Sequence, residues 1–190
     1  MNTSMERVNI MIGRFQPLTN GHMACVQEAF IKKGVKTIIC MIGVSDEKVD
    51  EKHPFPSSML LPIYQNIFNK YKMVKDVVLV KNADIVKIGE MLWDMGYEIV
   101  SWTCGTDRLS SYQRMAEKYA DKAHLPADFE MIEVKRSDED ISATKVRQAL
   151  IEDDYKYFAS MTPLITLQTR LKNVNYYETL RNQILKVYKS

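Results

Sequence analysis

The sequence predicts an α/β fold in which a five-stranded parallel sheet carries helices on both faces and a helical extension follows. Two observations lead to this prediction. Short apolar runs alternate along the chain with segments whose apolar residues have helical spacing. Hydrophobic residues make up 46% of the 190 residues and charged residues 26%, so a real core can form. This alternation is typical of a Rossmann-like domain.

The five strands and the first two helices of the predicted fold follow directly from these patterns. The strands are the apolar runs at 8–12, 37–44, 77–80, 99–103 and 129–134. Helices are predicted at 21–33 and 57–71, and Pro62 is acceptable there only in a first turn. Ligands of such sheets bind beyond the carboxyl ends of the strands, which we expect near Gly13, Gly43, Lys81, Cys104 and Lys135.

The later helices carry recognisable start and stop signals. Asp84 is placed to cap a helix that stops before Gly96, and we assign Trp93 in that helix to the core. Asp107 is a candidate cap for the next helix. From residue 141 onward the pattern is helical, with Pro163 as a start signal for one or two amphipathic helices over 162–188.

Composition and charge limit the classes of function. A net charge of +2 argues against a dedicated nucleic-acid binder. The longest apolar run, 38–44, is too short to cross a bilayer, and the N-terminus lacks a signal-peptide layout. Three cysteines are too few and too isolated for a disulfide framework or a zinc site, so we expect buried thiols. These features indicate a reduced, cytoplasmic protein with no membrane or nucleic-acid partner.

The common nucleotide and hydrolase motifs do not occur. The chain has no G-x-G-x-x-G, no G-x-x-x-x-G-K-[ST] and no G-x-S-x-G. Only three histidines are present, so a His-rich metal site is excluded and we assign no metal ligands to the protein.

The string GRFQPLTNGH leaves the first strand and enters the first helix. Gly13 allows a sharp turn, Pro17 stiffens the loop, and Asn20-Gly21 is a strong turn pair. His22 then falls in the first helical turn, three residues after Thr19. Helix N-termini attract anions, so this is a compact set of donors for phosphate. The alternative is a tight loop in which His22 only caps the helix or packs in the core.

A second string, ISATKVR, begins about 120 residues downstream. Ser142 is a predicted N-cap, and Arg147 lies on the same helical face as Thr144. Lys145 stands where a capping box would have an acid, and a cation there opposes the helix dipole. An anion bound at this helix start would explain that conflict. The alternative is a surface helix with an ordinary serine cap.

Together the two strings resemble the signatures of the T/HxGH nucleotidyltransferase superfamily. GRFQP before GH is most similar to the archaeal type of nicotinamide-nucleotide adenylyltransferase, and a Gly-x-Asp-Arg turn after strand four looks like related phage-encoded enzymes. Thr19 takes the position that most relatives give to a first histidine. The resemblance spans about 135 residues and implies a catalytic domain at 1–150 and a helical extension at 151–190.

The resemblance also implies a reaction and roles for the motif residues. AMP would pass from ATP, with Mg²⁺ bound to the triphosphate, to a phosphate monoester, nicotinamide mononucleotide being the first candidate. His22 and Thr19 would meet the α- and β-phosphates, while Ser142, Thr144 and Arg147 would hold the pyrophosphate. The nucleotide-binding set is Gly13, Arg14, Phe15, Gly21, His22, Ser142, Thr144 and Arg147. Another phosphorylated acceptor with cytidylyl or adenylyl transfer, or a non-catalytic nucleotide sensor, stays open.

Acceptor-side signals are weaker. Leu60 stands where the similar enzymes carry an arginine. Arg108 suits a phosphate, and Asp107 binds substrate if it is not a helix cap. Trp102 is assigned either to stacking on a base or to the core. Lys135 and Arg136 follow strand five and are further candidates for phosphate contact.

Aromatic residues are frequent in the C-terminal extension. They are expected to pack on the body or on a second subunit, and they favour a homo-oligomer. These residues are Tyr155, Tyr157, Phe158, Tyr176 and Tyr177.

Overall fold

The computed structural model describes residues 4–69, 71–135, 142–163 and 170–189. The strands are β1 (Glu6–Gly13), β2 (Lys36–Ile42), β3 (Val74–Val80), β4 (Tyr97–Gly105) and β5 (Glu130–Val134). The helices are α1 (Asn20–Lys33), α2 (Ser57–Phe68), α3 (Ile85–Asp94), α4 (Thr106–Tyr119), α5 (Ala143–Glu152), α6 (Tyr155–Met161) and α7 (Arg170–Lys189). A short 3₁₀ turn covers Asp46–Lys48.

The five strands form one parallel sheet in the order β3-β2-β1-β4-β5. This confirms the predicted fold class. The chain runs from β1 outward to β3 and then returns to β4 on the other side of β1. The strand order therefore reverses between β1 and β4, and a crevice opens there beyond the carboxyl ends of both strands.

Apolar side chains cover both faces of the sheet. Along β1, Val8, Ile10 and Ile12 belong to one core cluster with α3 and α4, whereas Met11 belongs to the other. The second cluster includes residues of α1, α2, α5, α6 and α7. Because successive side chains of a strand point to opposite faces, a fully buried strand must be apolar on both sides.

One polar position interrupts this apolar strand. Asn9 is fully buried, and its side-chain nitrogen donates to Thr37 Oγ1 at 3.0 Å. Its oxygen accepts from the hydroxyls of Ser101 at 2.8 Å and Thr103 at 2.9 Å. The amide thus links three adjacent strands inside the sheet, where an unpaired polar group would be costly.

Several predicted helix boundaries agree with the structure. Asp84 caps α3 by accepting from the backbone N–H groups of Val86 and Lys87, and Gly96 just beyond the helix has φ = 90°. Ser142 caps α5 by accepting from Lys145 N.

Three expectations need correction. Gly105, not Asp107, is the N-cap of α4, and Asp107 lies in its first turn. Pro62 lies inside α2, beyond the first turn. Trp93 is 37% exposed and stacks on His124 with 4.7 Å between ring centroids, so it is not a core residue. Pro163 lies in a turn, and 164–169, where the predicted helix would continue, fall outside the described residues.

The C-terminal aromatics pack on the body of the same chain. Phe158, Tyr176 and Tyr177 are buried in the core cluster that contains α2 and α5. Tyr177 also donates its hydroxyl to Asp153 at 2.8 Å. Of the two arrangements expected for these aromatic residues, these three side chains adopt packing on the body, and the homo-oligomer stays a prediction. Within the described residues, no helix combines the length and apolar character that a membrane span requires.

Candidate active site

The loop between β1 and α1 is held by side chains from distant parts of the chain. Tyr64 donates its hydroxyl to the carbonyl of Phe15 at 2.9 Å and accepts from Leu18 N at 2.9 Å. Arg147 donates to the carbonyl of Gln16 at 2.8 Å. The backbone of this loop thus depends on α2 and on α5 for its polar partners.

The Gln16 side chain connects the same loop to the segment before α2. Its amide nitrogen donates to Phe55 O at 2.7 Å, and its amide oxygen accepts from Phe55 N at 3.0 Å. Both residues are buried. This two-bond pairing fixes the loop that carries His53 relative to the loop that leads into α1.

Phe15 has an unusual backbone conformation for a side-chain-bearing residue, with φ = 51°. Its buried ring meets His22 edge-on, with 4.9 Å between centroids. A Cβ built on Gly13 would lie 3.1 Å from the Phe15 ring. Glycine at position 13 therefore makes room for that ring, which is a different reason from the sharp turn expected there. The Gln16–Pro17 peptide bond is cis.

Thr19 and His22 start helix α1. Thr19 is its N-cap residue, and the Thr19 backbone N–H donates to Nδ1 of His22 at 3.0 Å. Thr19 Oγ1 lies 3.1 Å from the same nitrogen. Since Nδ1 accepts a hydrogen bond from a backbone N–H, a neutral His22 ring carries its proton on Nε2. The imidazole thus caps the helix with one nitrogen and is a donor at the other.

Helix α5 places the second motif beside the first. Arg147 donates to Thr144 Oγ1 at 3.1 Å as well as to the carbonyl of Gln16, so its guanidinium joins the two motifs. Partial burial lowers the pKa of Arg147 from its ordinary value, and the guanidinium stays charged at neutral pH. Ile141, the first residue of the motif, lies outside the described residues.

Two cavities meet at these helix starts. A cleft of about 200 Å³ is lined by both motifs, namely by Thr19, Gly21, His22, Gly105, Lys135 and Ser142 among others. A larger cavity of about 650 Å³ opens beyond the ends of β1 and β4. His22, Cys25 and Gly105 line both, so the His22 imidazole stands where the two spaces join.

The larger cavity contains residues predicted to bind the nucleotide as well as residues predicted to bind the acceptor. Arg14, Asp107 and Arg108 line it, together with His53, and both arginines are exposed. Arg108 is paired with Asp107 at 3.7 Å between its Nε and the carboxylate. Lys135 lines the smaller cleft, while Arg136 lies outside the described residues.

Trp102 is not placed to bind substrate, which corrects that prediction. Its indole is 0% exposed and stacks on Tyr112, with 4.2 Å between centroids and 21° between planes. Tyr112, not Trp102, lines the larger cavity. Of the two alternatives for Trp102, stacking on a base and packing in the core, the structure shows packing in the core. The face of its indole toward Tyr112 has no room for a base.

The three cysteines are buried free thiols, as expected. Burial raises the pKa of Cys104, which lines the larger cavity, to about 11. A thiol with so high a pKa is a poor nucleophile at neutral pH. In the part of the chain that the structure describes, no group of three or more His, Cys, Asp or Glu side chains is arranged to hold a metal ion.

Reasoning from the sequence missed two residues of this site. Tyr64 and the Gln16 side chain both fix the β1–α1 loop through contacts between distant segments. The separation is 46 positions from Tyr64 to Leu18 and 39 from Gln16 to Phe55. Gln16 stands inside a recognised motif, which is the one signal that could have drawn attention to it. Tyr64 lies on the apolar face of α2 and looks like an ordinary core residue.

Comparison with known proteins agrees with this geometry. A family model described as cytidylyltransferase-like matches residues 10–149. No curated protein sequence matches the chain at a significant level.

Solved structures share the fold at low sequence identity. The Plasmodium falciparum nicotinic acid mononucleotide adenylyltransferase complexed with NaAD has 12% identity and a TM-score of 0.57, over 94% of this chain and 98% of that chain. A bifunctional NMN adenylyltransferase/ADP ribose pyrophosphatase from Francisella tularensis has 17% identity and a TM-score of 0.58, over 94% and 53%. A putative nicotinate-nucleotide adenylyltransferase from Vibrio parahaemolyticus has 15% identity and a TM-score of 0.54, over 94% and 97%.

Proposed function

Because this chain belongs to the cytidylyltransferase-like family and is a nucleotidyltransferase, we propose that it transfers AMP from ATP to the phosphate of a pyridine mononucleotide. Nicotinamide mononucleotide is the first candidate acceptor and nicotinate mononucleotide the second. The products are a dinucleotide and pyrophosphate. Neighbours of similar fold are adenylyltransferases of these two mononucleotides.

One observation carries the proposal: the N-termini of α1 and α5 open onto the same small cleft, and His22 stands where that cleft joins the larger cavity. Helix N-termini present unpaired N–H groups and a partial positive charge, which suit a polyphosphate. The larger cavity next to that cleft provides room for the acceptor, which a transfer between two substrates requires.

In this proposal the chain positions and stabilises charge and forms no covalent intermediate. The acceptor phosphate oxygen attacks the α-phosphorus in line, the bond from the α-phosphorus to the bridging oxygen breaks, and pyrophosphate leaves with that electron pair. His22 Nε2 donates to the phosphate oxygens on which negative charge grows. Thr19 contributes its hydroxyl beside the ring.

The motif of α5 would hold the leaving group. Ser142 and Thr144 lie at the start of the helix, and Arg147 brings a guanidinium fork that matches phosphate geometry. Gly13, Arg14, Phe15 and Gly21 form the rest of the predicted nucleotide-binding set. Mg²⁺ belongs to the substrate in this scheme, since magnesium favours phosphate and water oxygens.

On the acceptor side, Arg108 lines the larger cavity with positive charge, in the same cavity as Arg14 of the nucleotide-binding set. Guanidinium groups there suit the phosphate of a mononucleotide. Asp107 pairs with Arg108 and orients it. The predicted division into a catalytic domain at 1–150 and an extension at 151–190 is part of this proposal.

The test is pyrophosphate release from ATP or CTP, with Mg²⁺, against four acceptors: the two pyridine mononucleotides, phosphopantetheine and glycerol 3-phosphate. We expect release with ATP and a pyridine mononucleotide, and loss of release in the His22→Ala variant. Release only with CTP, or only with one of the other two acceptors, would show that the enzyme uses a different pair of substrates. ATP binding without release from any pair would overturn the proposal in favour of a nucleotide sensor.

A further inference from the structure

We infer that Tyr64 is a positioning residue of the active site, which sets the orientation of His22 through the backbone of the β1–α1 loop. Tyr64 itself lines neither of the two cavities, and it stands outside both sequence motifs. The inference about orientation stands on geometry alone, and its effect on turnover rests on the proposed function.

The first step is the contact between the Tyr64 hydroxyl and the loop. The ring is 1% exposed, and its oxygen lies 2.9 Å from both Phe15 O and Leu18 N. It is a donor to the first and an acceptor from the second. One hydroxyl thus ties together two backbone positions three residues apart, on either side of Gln16 and Pro17.

The second step concerns the conformation that this contact holds. Phe15 has φ = 51°, a region that costs a side-chain-bearing residue free energy and persists only where its surroundings impose it. The Phe15 carbonyl is the acceptor that Tyr64 occupies. Removing the hydroxyl therefore removes a restraint on the strained residue itself.

The third step leads to the imidazole. The Phe15 ring packs edge-on against His22 at 4.9 Å, and Leu18 directly precedes Thr19, whose N–H donates to His22 Nδ1. At one end of the segment that Tyr64 ties together, Phe15 contacts His22 directly. At the other end, Leu18 is bonded to Thr19, which donates a hydrogen bond to His22. A shift of the loop changes the ring packing and the hydrogen bond together.

Burial raises the pKa of the Tyr64 hydroxyl well above its ordinary value, so the group stays protonated and able to donate over the whole working range of pH. Tyr64 is therefore a permanent tie between helix and loop, with no role as an acid or base.

The Tyr64→Phe variant tests this, with Tyr177→Phe as the matched control. Tyr177 is buried in the same core cluster, and its hydroxyl also has a partner, Asp153, at 2.8 Å. Both variants keep the ring and lose one bonded hydroxyl. The first readout is the ¹H–¹⁵N spectrum of the imidazoles, in which His22 is assigned by comparison with His22→Gln. The second readout is kcat. Titration with a non-hydrolysable ATP analogue measures the binding stoichiometry of each variant.

We expect Tyr64→Phe to shift the His22 imidazole nitrogens and to lower kcat at least about tenfold at unchanged binding stoichiometry, since small misplacements of reacting groups cost large factors in rate. Tyr177→Phe should change neither. A wild-type spectrum in Tyr64→Phe overturns the inference, whether or not kcat falls. A shifted spectrum in a protein that shows no transfer with any acceptor supports the inference and refutes the proposed function instead.

Discussion

The backbone N–H of Thr19 donates to Nδ1 of His22 at 3.0 Å, so the first turn of α1 determines which nitrogen of the ring carries the proton. The two interpretations of His22 drawn from its sequence context, a helix cap and a phosphate ligand, are therefore compatible. Each uses a different nitrogen of the same ring.

His22→Ala and His22→Gln separate these two functions. Alanine removes the cap and the Nε2 donor, so we expect a loss of about 1 kcal/mol in the free energy of unfolding and a fall in kcat of about 10²–10³-fold. Glutamine is itself a capping residue at this helix position and should restore stability but not kcat. Urea unfolding and steady-state rates measure the two effects. Equal stability of both variants would contradict the cap.

Arg147→Lys tests the guanidinium that joins the two motifs. Lysine keeps the charge but cannot donate to Gln16 O and Thr144 Oγ1 from one planar group. We expect KM for ATP to rise and kcat/KM to fall by about tenfold or more, a loss on the scale of one charge-assisted hydrogen bond. Glu152→Gln, on an exposed position at the far end of the same helix, is the control and should leave kcat/KM unchanged.

Asn9→Leu should destabilise the protein by about 2–4 kcal/mol, because the hydroxyls of Thr37, Ser101 and Thr103 lose their partner inside the sheet. Thr37→Val breaks one of these three bonds and should cost less, about 1 kcal/mol. Denaturant unfolding of the single and double variants gives the coupling between the two residues. A coupling of zero would mean that the Asn9 amide does not stabilise the sheet through Thr37.

Gly89→Ala should lower stability, although this exchange inside a helix usually raises it by about 1 kcal/mol. Gly89 lies in α3, where an added Cβ would stand 2.4 Å from the backbone oxygen of Ala123. Overpacking of this kind costs about 1–3 kcal/mol. Glu90→Ala, on an exposed position of the same helix, is the control, and thermal melts compare the two. A stabilised Gly89→Ala would show that the segment around Ala123 yields easily.

The bond between Tyr177 and Asp153 makes stability depend on pH at the alkaline end. Burial, and then the hydrogen bond to Asp153, raise the pKa of Tyr177 to about 12. Since the folded pKa exceeds the unfolded value of about 10, the contribution is fully present below about pH 10 and is lost as the pH rises toward about 12. The difference in free energy of unfolding between wild type and Tyr177→Phe should stay constant up to about pH 10 and then shrink. A constant difference throughout would refute the shift.

The parallel sheet was predictable because buried strands are marked by apolar runs, and the strands differ from prediction mainly at their ends. β3 begins at Val74, three residues before the predicted start, because Val74 and Asp76 still pair with β2 across a register shift at Lys75, where the apolar pattern has stopped. The caps at Asp84 and Ser142 were predictable because each satisfies backbone N–H groups within three residues.

What sequence patterns did not predict depends on contacts between distant segments. Core packing was considered for both Trp102 and Trp93, yet Trp102 is fully buried against Tyr112 and Trp93 stacks on His124 at the surface. A local pattern does not show what a third element places over a ring. The same holds for Tyr64, whose partners lie 46 and 49 positions away.

The hydrogen bond from Arg147 to Gln16 spans 131 positions of the chain. During synthesis, one of the side chains that shape the backbone of the first motif is therefore made long after the motif itself. A nascent chain that stops short of α5 contains every residue of the first motif and still lacks this tie. The site proposed for ATP is therefore completed only once α5 has been made, and fragments that end before α5 should not sequester the nucleotide.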